Sequence, residues 1–261
     1  MRTVTLRYKG KITHYELWNE PSMVKFFSGT VEELVELSGR AYKIIKSIDP
    51  SAVVVSPSVV GSTLFLWQYL TAGGGKYCDA VGYHFYVQPG PPEDMIRSIA
   101  AVRDVLTECG VDKPLWNTEA GWKIGEAPSG ISEDEAAQYT ARAFIINRAC
   151  GIERYCFYAY DNGNFGLYRN NELKKNAYAY MRVYEWLTDS EMISLVKEGS
   201  FWICEILRPG GKPAHLVWSI DGEKEFNVPA SWNASSIINL NGEKNPVKKR
   251  ISADGSVVLV N

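Results

Sequence analysis

Leu17-Trp18-Asn19-Glu20-Pro21 closes a run that starts near Ile12 and reads as a β-strand, and Leu115-Trp116-Asn117-Thr118-Glu119-Ala120-Gly121-Trp122 closes another. Each string hangs a glutamate on the carboxyl end of its strand. Working outward, the chain from about residue 11 to residue 189 alternates short β-branched or aromatic runs with longer helical patterns, the signature of βα units and a parallel sheet. Strands are expected at residues 12–19, 52–57, 80–86, 114–118 and 153–160. Between them, Thr30 with Glu33 and Ser132 with Glu135 have the spacing of helix-capping boxes. The apolar stripe Leu34, Leu37, Ala41, Ile44, Ile45 and Ile48 has helical periodicity, as does Ile96, Ile99, Val102, Val105 and Leu106.

Beyond Asp189 the pattern changes to short alternating strands near 201–207, 214–220, 225–228, 236–240 and 257–260. The turn dipeptides Gly210-Gly211, Asp221-Gly222, Asn241-Gly242 and Asp254-Gly255 divide them. The expected architecture is therefore α/β: an incomplete (β/α) TIM-type barrel of about five βα units over residues 1–189, followed by a small antiparallel, β-sandwich-like domain over 190–261.

Composition narrows the partners. Lys and Arg total 28 against 30 Asp and Glu, with no basic face, which argues against nucleic acid. No apolar run approaches the length of a membrane span, and no charged-then-apolar leader is visible at Met1. With Met1 as natural start a cytoplasmic protein is expected; a shortened chain leaves secretion open. The five cysteines are scattered among apolar neighbours and read as buried free thiols. His14 and His215 read as structural, and no Cys or His cluster predicts a metal, so neither metal nor cofactor is expected. Asn233-Ala234-Ser235 fits the glycosylation pattern, a weak match.

In a parallel β/α barrel the site lies at the carboxyl ends of the strands. Leu115, Asn117 and Glu119 share parity, as do Gly82, His84 and Tyr86, which would place His84 and Tyr86 beside Glu119. Two carboxyl groups about 5 Å apart cleave a glycosidic bond with retention, one protonating the leaving oxygen and the other attacking the anomeric carbon. Asn19 offers a neutral donor and acceptor for a sugar hydroxyl, and Trp122, Tyr158 and Tyr160 offer aromatic planes for a pyranose ring.

The two strings together resemble the acid/base and nucleophile motifs of clan A glycoside hydrolases, the set that includes families 5 and 39. The resemblance covers roughly residues 3–189. It implies that Glu20 is the general acid/base at the end of the fourth barrel strand, Glu119 the nucleophile ending the seventh, and Asn19 a ligand of the sugar 2-hydroxyl. His84 and Tyr86 match the sixth-strand position whose Tyr hydrogen-bonds the nucleophile. The chain begins where three βα units of that barrel would already have passed. A five-stranded open sheet exposes two edges and an apolar lumen, so a homo-oligomer through the open side of the barrel is expected. The expected function is a retaining hydrolase of β-linked oligo- or polysaccharides. The alternative is an impaired, truncated barrel that binds glycans or only assembles.

Overall fold

The structure is a computed structural model that describes residues 1–126, 128 and 130–261. It is a mixed α/β protein whose chain divides into two compact, discontinuous units. The change from helices to antiparallel strands falls near Asp189, but the units are partitioned differently: one comprises Met1–Tyr86, Met95–Ala120 and Gly151–Phe157, the other Val87–Asp94, Gly121–Cys150 and Tyr158–Asn261.

The first unit opens with α1 (Arg2–Tyr8), β1 (His14–Glu16) and α2 (Val31–Ile48), followed by β2 (Val53–Val55), β3 (Val59–Val60) and α3 (Thr63–Thr71). Then come β4 (Val81–His84), all but the first residue of α4 (Asp94–Glu108), β5 (Leu115–Ala120) and β6 (Arg154–Phe157). Every strand pairing in this unit is parallel: β1 on β2, β3 on β4, β4 on β5 and β5 on β6. Single bridges from Asn19 to Ser58 and from Val55 to Ala80 join the two sheets in chain order.

α2 starts where the sequence says it should. Thr30 accepts the Glu33 N–H and Glu33 returns to the Thr30 N–H, satisfying two of the donors a helix start leaves unpaired. Its buried stripe, with Ala41 and Ile45, packs on Tyr15 and Leu17 of the first strand and on Ala52 and Val54. The odd positions of β1 thus face a helix, which sends His14 and Glu16 to the opposite face.

The second unit contains α5 (Glu133–Ala149), the short pair β7 (Tyr168–Arg169) and β8 (Glu172–Leu173), and α6 (Lys175–Leu187). The strands that follow are β9 (Glu191–Glu198), β10 (Phe201–Arg208), β11 (Lys212–Ser219), β12 (Lys224–Asn227), β13 (Ser236–Ile238), β14 (Lys244–Pro246), β15 (Arg250–Ala253) and β16 (Val258–Val260). Six form one antiparallel sheet in the order β14-β13-β16-β11-β10-β9, and β12 pairs with β15. Ile203, Val217, Phe226, Ile251 and Val260 form the core of these strands. α5 and α6 pack together, with Phe144 edge-on to Tyr180 at 4.8 Å. Glu93, on the segment Val87–Asp94, is buried, takes the Trp218 Nε1–H at 2.7 Å and lies 3.5 Å from Arg142 Nε.

None of the five cysteines is in a disulfide, but only Cys78 and Cys204 are buried and Cys156 is exposed, so the expectation of five buried thiols is corrected. Burial raises the Cys204 thiol to about 12 and the Cys78 thiol to about 11. Among the described residues no helix is long and apolar enough to cross a membrane.

Candidate active site

The backbone ladder of the first strand runs past β1 to the glutamate. Leu17 N–H donates to Val55 O at 3.2 Å, Ser58 N–H to Trp18 O at 3.0 Å, and Glu20 N–H to Ser58 O at 2.9 Å. Glu20 itself has φ +47°, a left-handed conformation that non-glycine residues seldom adopt, with its N–H in that last bond.

His84 ends β4 on the same face. Its Nδ1 lies 3.0 Å from Glu20 Oε1 and its Nε2 lies 3.9 Å from Glu16 Oε1. The second distance is too long for a hydrogen bond, so Glu16 acts on the ring through its charge. Burial works against the cationic ring, but Glu16, Glu20 and Glu119 outweigh it and hold the His84 pKa above the ordinary histidine value. Two residues on, the Tyr86 hydroxyl donates to Glu119 Oε1 at 2.8 Å. His84 and Tyr86, which share parity on their strand, thus reach the carboxylates of Glu20 and Glu119 respectively.

Glu119 reaches this face by a different route from the expected one. Trp116 packs on Val55 and Ala80, its ring centroid 5.5 Å from that of His14. Thr118 Oγ1 lies 2.7 Å from Ser58 Oγ, an approach that Gly82 permits because a Cβ there would sit 2.1 Å from the same oxygen. Trp116 and Thr118 therefore occupy the face that carries Glu16 and His84. Asn117 is fully buried, and its Oδ1 accepts the Phe85 N–H. A shared face for Leu115, Asn117 and Glu119 is thus corrected: the register of β5 on β6 shifts between Asn117 and Ala120, and this irregularity re-aims Glu119.

One carboxylate oxygen from each of Glu20 and Glu119 and one ring nitrogen of His84 all lie within 4.8 Å of one another. The donor types also suit a divalent cation, although the sequence reading expected no metal. Three residues this far apart in the chain carry no metal-ligand spacing.

The other candidates divide. Asn19 is exposed next to Glu20. Trp122, Tyr158 and Tyr160 belong to the second unit. Trp122 is 2% exposed, donates its indole N–H to Gly90 O at 2.8 Å and packs edge-on to Tyr139, so it fills a core and offers no open plane to a sugar. Tyr160 is exposed and stacked on Tyr168 at 5.5 Å, and half-buried Tyr158 meets Phe165 edge-on. Glu16 is a carboxylate beside this cluster to which the motif reading gave no role, although its shared parity with Glu20 on one strand was a usable signal.

No protein-family model matches the chain, and no curated protein matches it in sequence. Solved structures do. A family 39 glycoside hydrolase from Bacteroides cellulosilyticus WH2 superposes with TM-score 0.80 at 18% identity, over 99% of this chain and 60% of that one. A glucosidase from Croceicoccus marinus gives 0.72 at 15% identity, over 99% and 72% of the respective chains. A family 44 xyloglucanase from Paenibacillus polymyxa gives 0.68 at 12% identity, over 100% and 69%. The structural neighbours are glycoside hydrolases of clan A families, and at these identities the likeness is one of fold, with the chain spanning 60% of the length of the family 39 structure.

Proposed function

We propose that the protein is a retaining hydrolase of β-linked glycosides in which Glu119 is the nucleophile and Glu20 the general acid/base. The supporting observation is the approach of the two carboxylates to within 4.8 Å, one from the chain just past β1 and one from β5, the spacing that leaves room for a sugar carbon but not for an intervening water. In this reading β1 to β6 form the part of a (β/α) barrel that carries both groups.

Glu20 protonates the glycosidic oxygen while Glu119 attacks the anomeric carbon, giving a glycosyl-enzyme and the free alcohol. Glu20 then takes a proton from water as the water displaces Glu119. The Tyr86 hydroxyl holds the Glu119 oxygen in line before attack, and His84 fixes the carboxyl of Glu20. Asn19, exposed beside Glu20, is placed to meet the sugar 2-hydroxyl.

The test is a panel of 4-nitrophenyl β-glycosides with Glu119→Gln and Glu20→Ala. Glu119→Gln is expected to lose turnover on every substrate the parent cleaves. Glu20→Ala is expected to retain glycosyl-enzyme formation with a good leaving group, which needs no proton, and to lose alkyl glycosides. A Glu119→Gln protein as active as its parent would end the assignment.

The cluster of Glu20, His84 and Glu119 supports a second reading, a metal-dependent site, and chelation separates the two. Hydrolysis that persists after dialysis against EDTA belongs to the carboxylate pair. Hydrolysis that vanishes and returns with a divalent cation belongs to a metal.

A further inference from the structure

A concavity within the antiparallel strands of the second unit has a cationic lining. It encloses about 610 Å³, within the range of small-molecule sites. Arg208 at the end of β10, Lys212 at the start of β11 and Lys244 at the start of β14 all line it, and no Asp or Glu side chain does. Among the described residues these three cations make no ion pair. Asn261 also lines it, its main-chain oxygen held by the N–H groups of Ser235 and Ser236. Even counting a terminal carboxylate there, positive charge is in excess, in a chain of formal net charge −2.

The remaining surface is amphipathic rather than merely charged. Trp232 is half-buried, with one face stacked on His215 at 3.6 Å and an interplanar angle of 3°, so the indole is a fixed plate. Its N–H has no protein acceptor among the described residues. Asn233, whose amide nitrogen also donates to Ser231 O, and Ser235 add amide and hydroxyl groups at the same concavity. Cations, a rigid indole and neutral hydrogen-bonding groups in one concavity match a ligand with anionic groups on a ring that has an apolar C–H face and many hydroxyls.

We propose that this concavity is a binding site for an acidic oligosaccharide, its carboxylate or sulfate groups held by Arg208, Lys212 and Lys244 and a sugar ring packed on Trp232. The proposal does not rest on the hydrolase reading, and its failure leaves that reading standing. Calorimetric titration of the whole protein with trigalacturonate, a heparin tetrasaccharide and neutral cellotriose tests it, with a Lys212→Glu/Lys244→Glu variant alongside. At least one acidic oligosaccharide is expected to bind, weakening as salt rises, and to lose at least about tenfold in affinity in the variant. Trigalacturonate binding marks a uronic acid ligand and heparin binding a sulfated one. Absence of binding by both overturns the proposal, as does binding that the variant leaves intact. Inorganic sulfate binding as tightly as either oligosaccharide overturns it too, because the site would then hold an ion and no sugar.

Discussion

His84 is 1% exposed at its side chain and surrounded by three carboxylates, so its charge state is set by neighbours rather than by water. The chain has three histidines, and the other two, His14 and His215, are held below their ordinary value, with burial the largest cause. A proton-detected titration of the imidazoles is therefore expected to show a single ring, lost in His84→Asn, with a midpoint above about 6.5. Glu16→Gln should move that midpoint down; no movement would show that Glu16 is a bystander. Because the folded pKa is raised, the ring's contribution to stability is complete below its unfolded value near 6.5 and is lost as pH rises through the native one. Thermal melts of Glu16→Gln should accordingly lose part of the parent's stability gain on acidification toward that value. A residue-scale contact of a different kind lies at Gly121, where a Cβ would come within 2.0 Å of the Tyr158 carbonyl oxygen. Since backbone must shift to admit it, Gly121→Ala is expected to destabilise by about 1–3 kcal/mol in chemical unfolding, and a neutral result would contradict the close approach.

Helix starts show what a local rule can and cannot carry. The capping boxes at Thr30 and Ser132 form as their spacing requires, because the bonds lie within four residues of one another. Thr30→Ala should cost about 1 kcal/mol by urea unfolding, with Thr30→Ser close to parent. The turn at β5 is the opposite case. Strand parity is a local rule too, yet the placement of Glu119 depends on where β6 shifts register against β5, information that residues 115–122 do not contain. β9 escaped the sequence reading for a related reason: Glu191, Lys197 and Glu198 mask its alternation, and it becomes a strand by pairing with β10. Glu93 is a further long-range case, bringing together Arg142 of α5 and Trp218 of β11 in the second unit. Arg142 is almost wholly buried, so Glu93→Ala removes the nearest carboxylate from its guanidinium and should destabilise the protein by about 3 kcal/mol, far beyond a surface ion pair. A loss under 1 kcal/mol would mean that the pair is not formed.

At the scale of the whole molecule, the parallel strands of the first unit leave backbone unpaired at two places. Among the described residues β1 and β6 are the outer strands, each with neighbours on one side. Unpaired strand edges invite association unless something covers them. The segments before and after β1 in the chain also expose large apolar side chains, among them Leu6 at 56%, Val24 at 81% and Phe26 at 40%. Unpaired strand edges and large exposed apolar groups are both features of interfaces. Self-association is therefore expected, and light scattering on a sizing column should give a discrete mass that is a multiple of 29.2 kDa. Replacing Val24 and Leu6 together by Glu should lower that mass if the β1 side is the interface, because two charges would enter a buried apolar contact at high cost. The amides of residues 12–19 should then exchange faster in the double variant than in the parent, while those of β4 and β5, paired on both sides within the chain, keep their protection. A parent protein that elutes at a single-chain mass across a hundredfold range of concentration would refute the association outright.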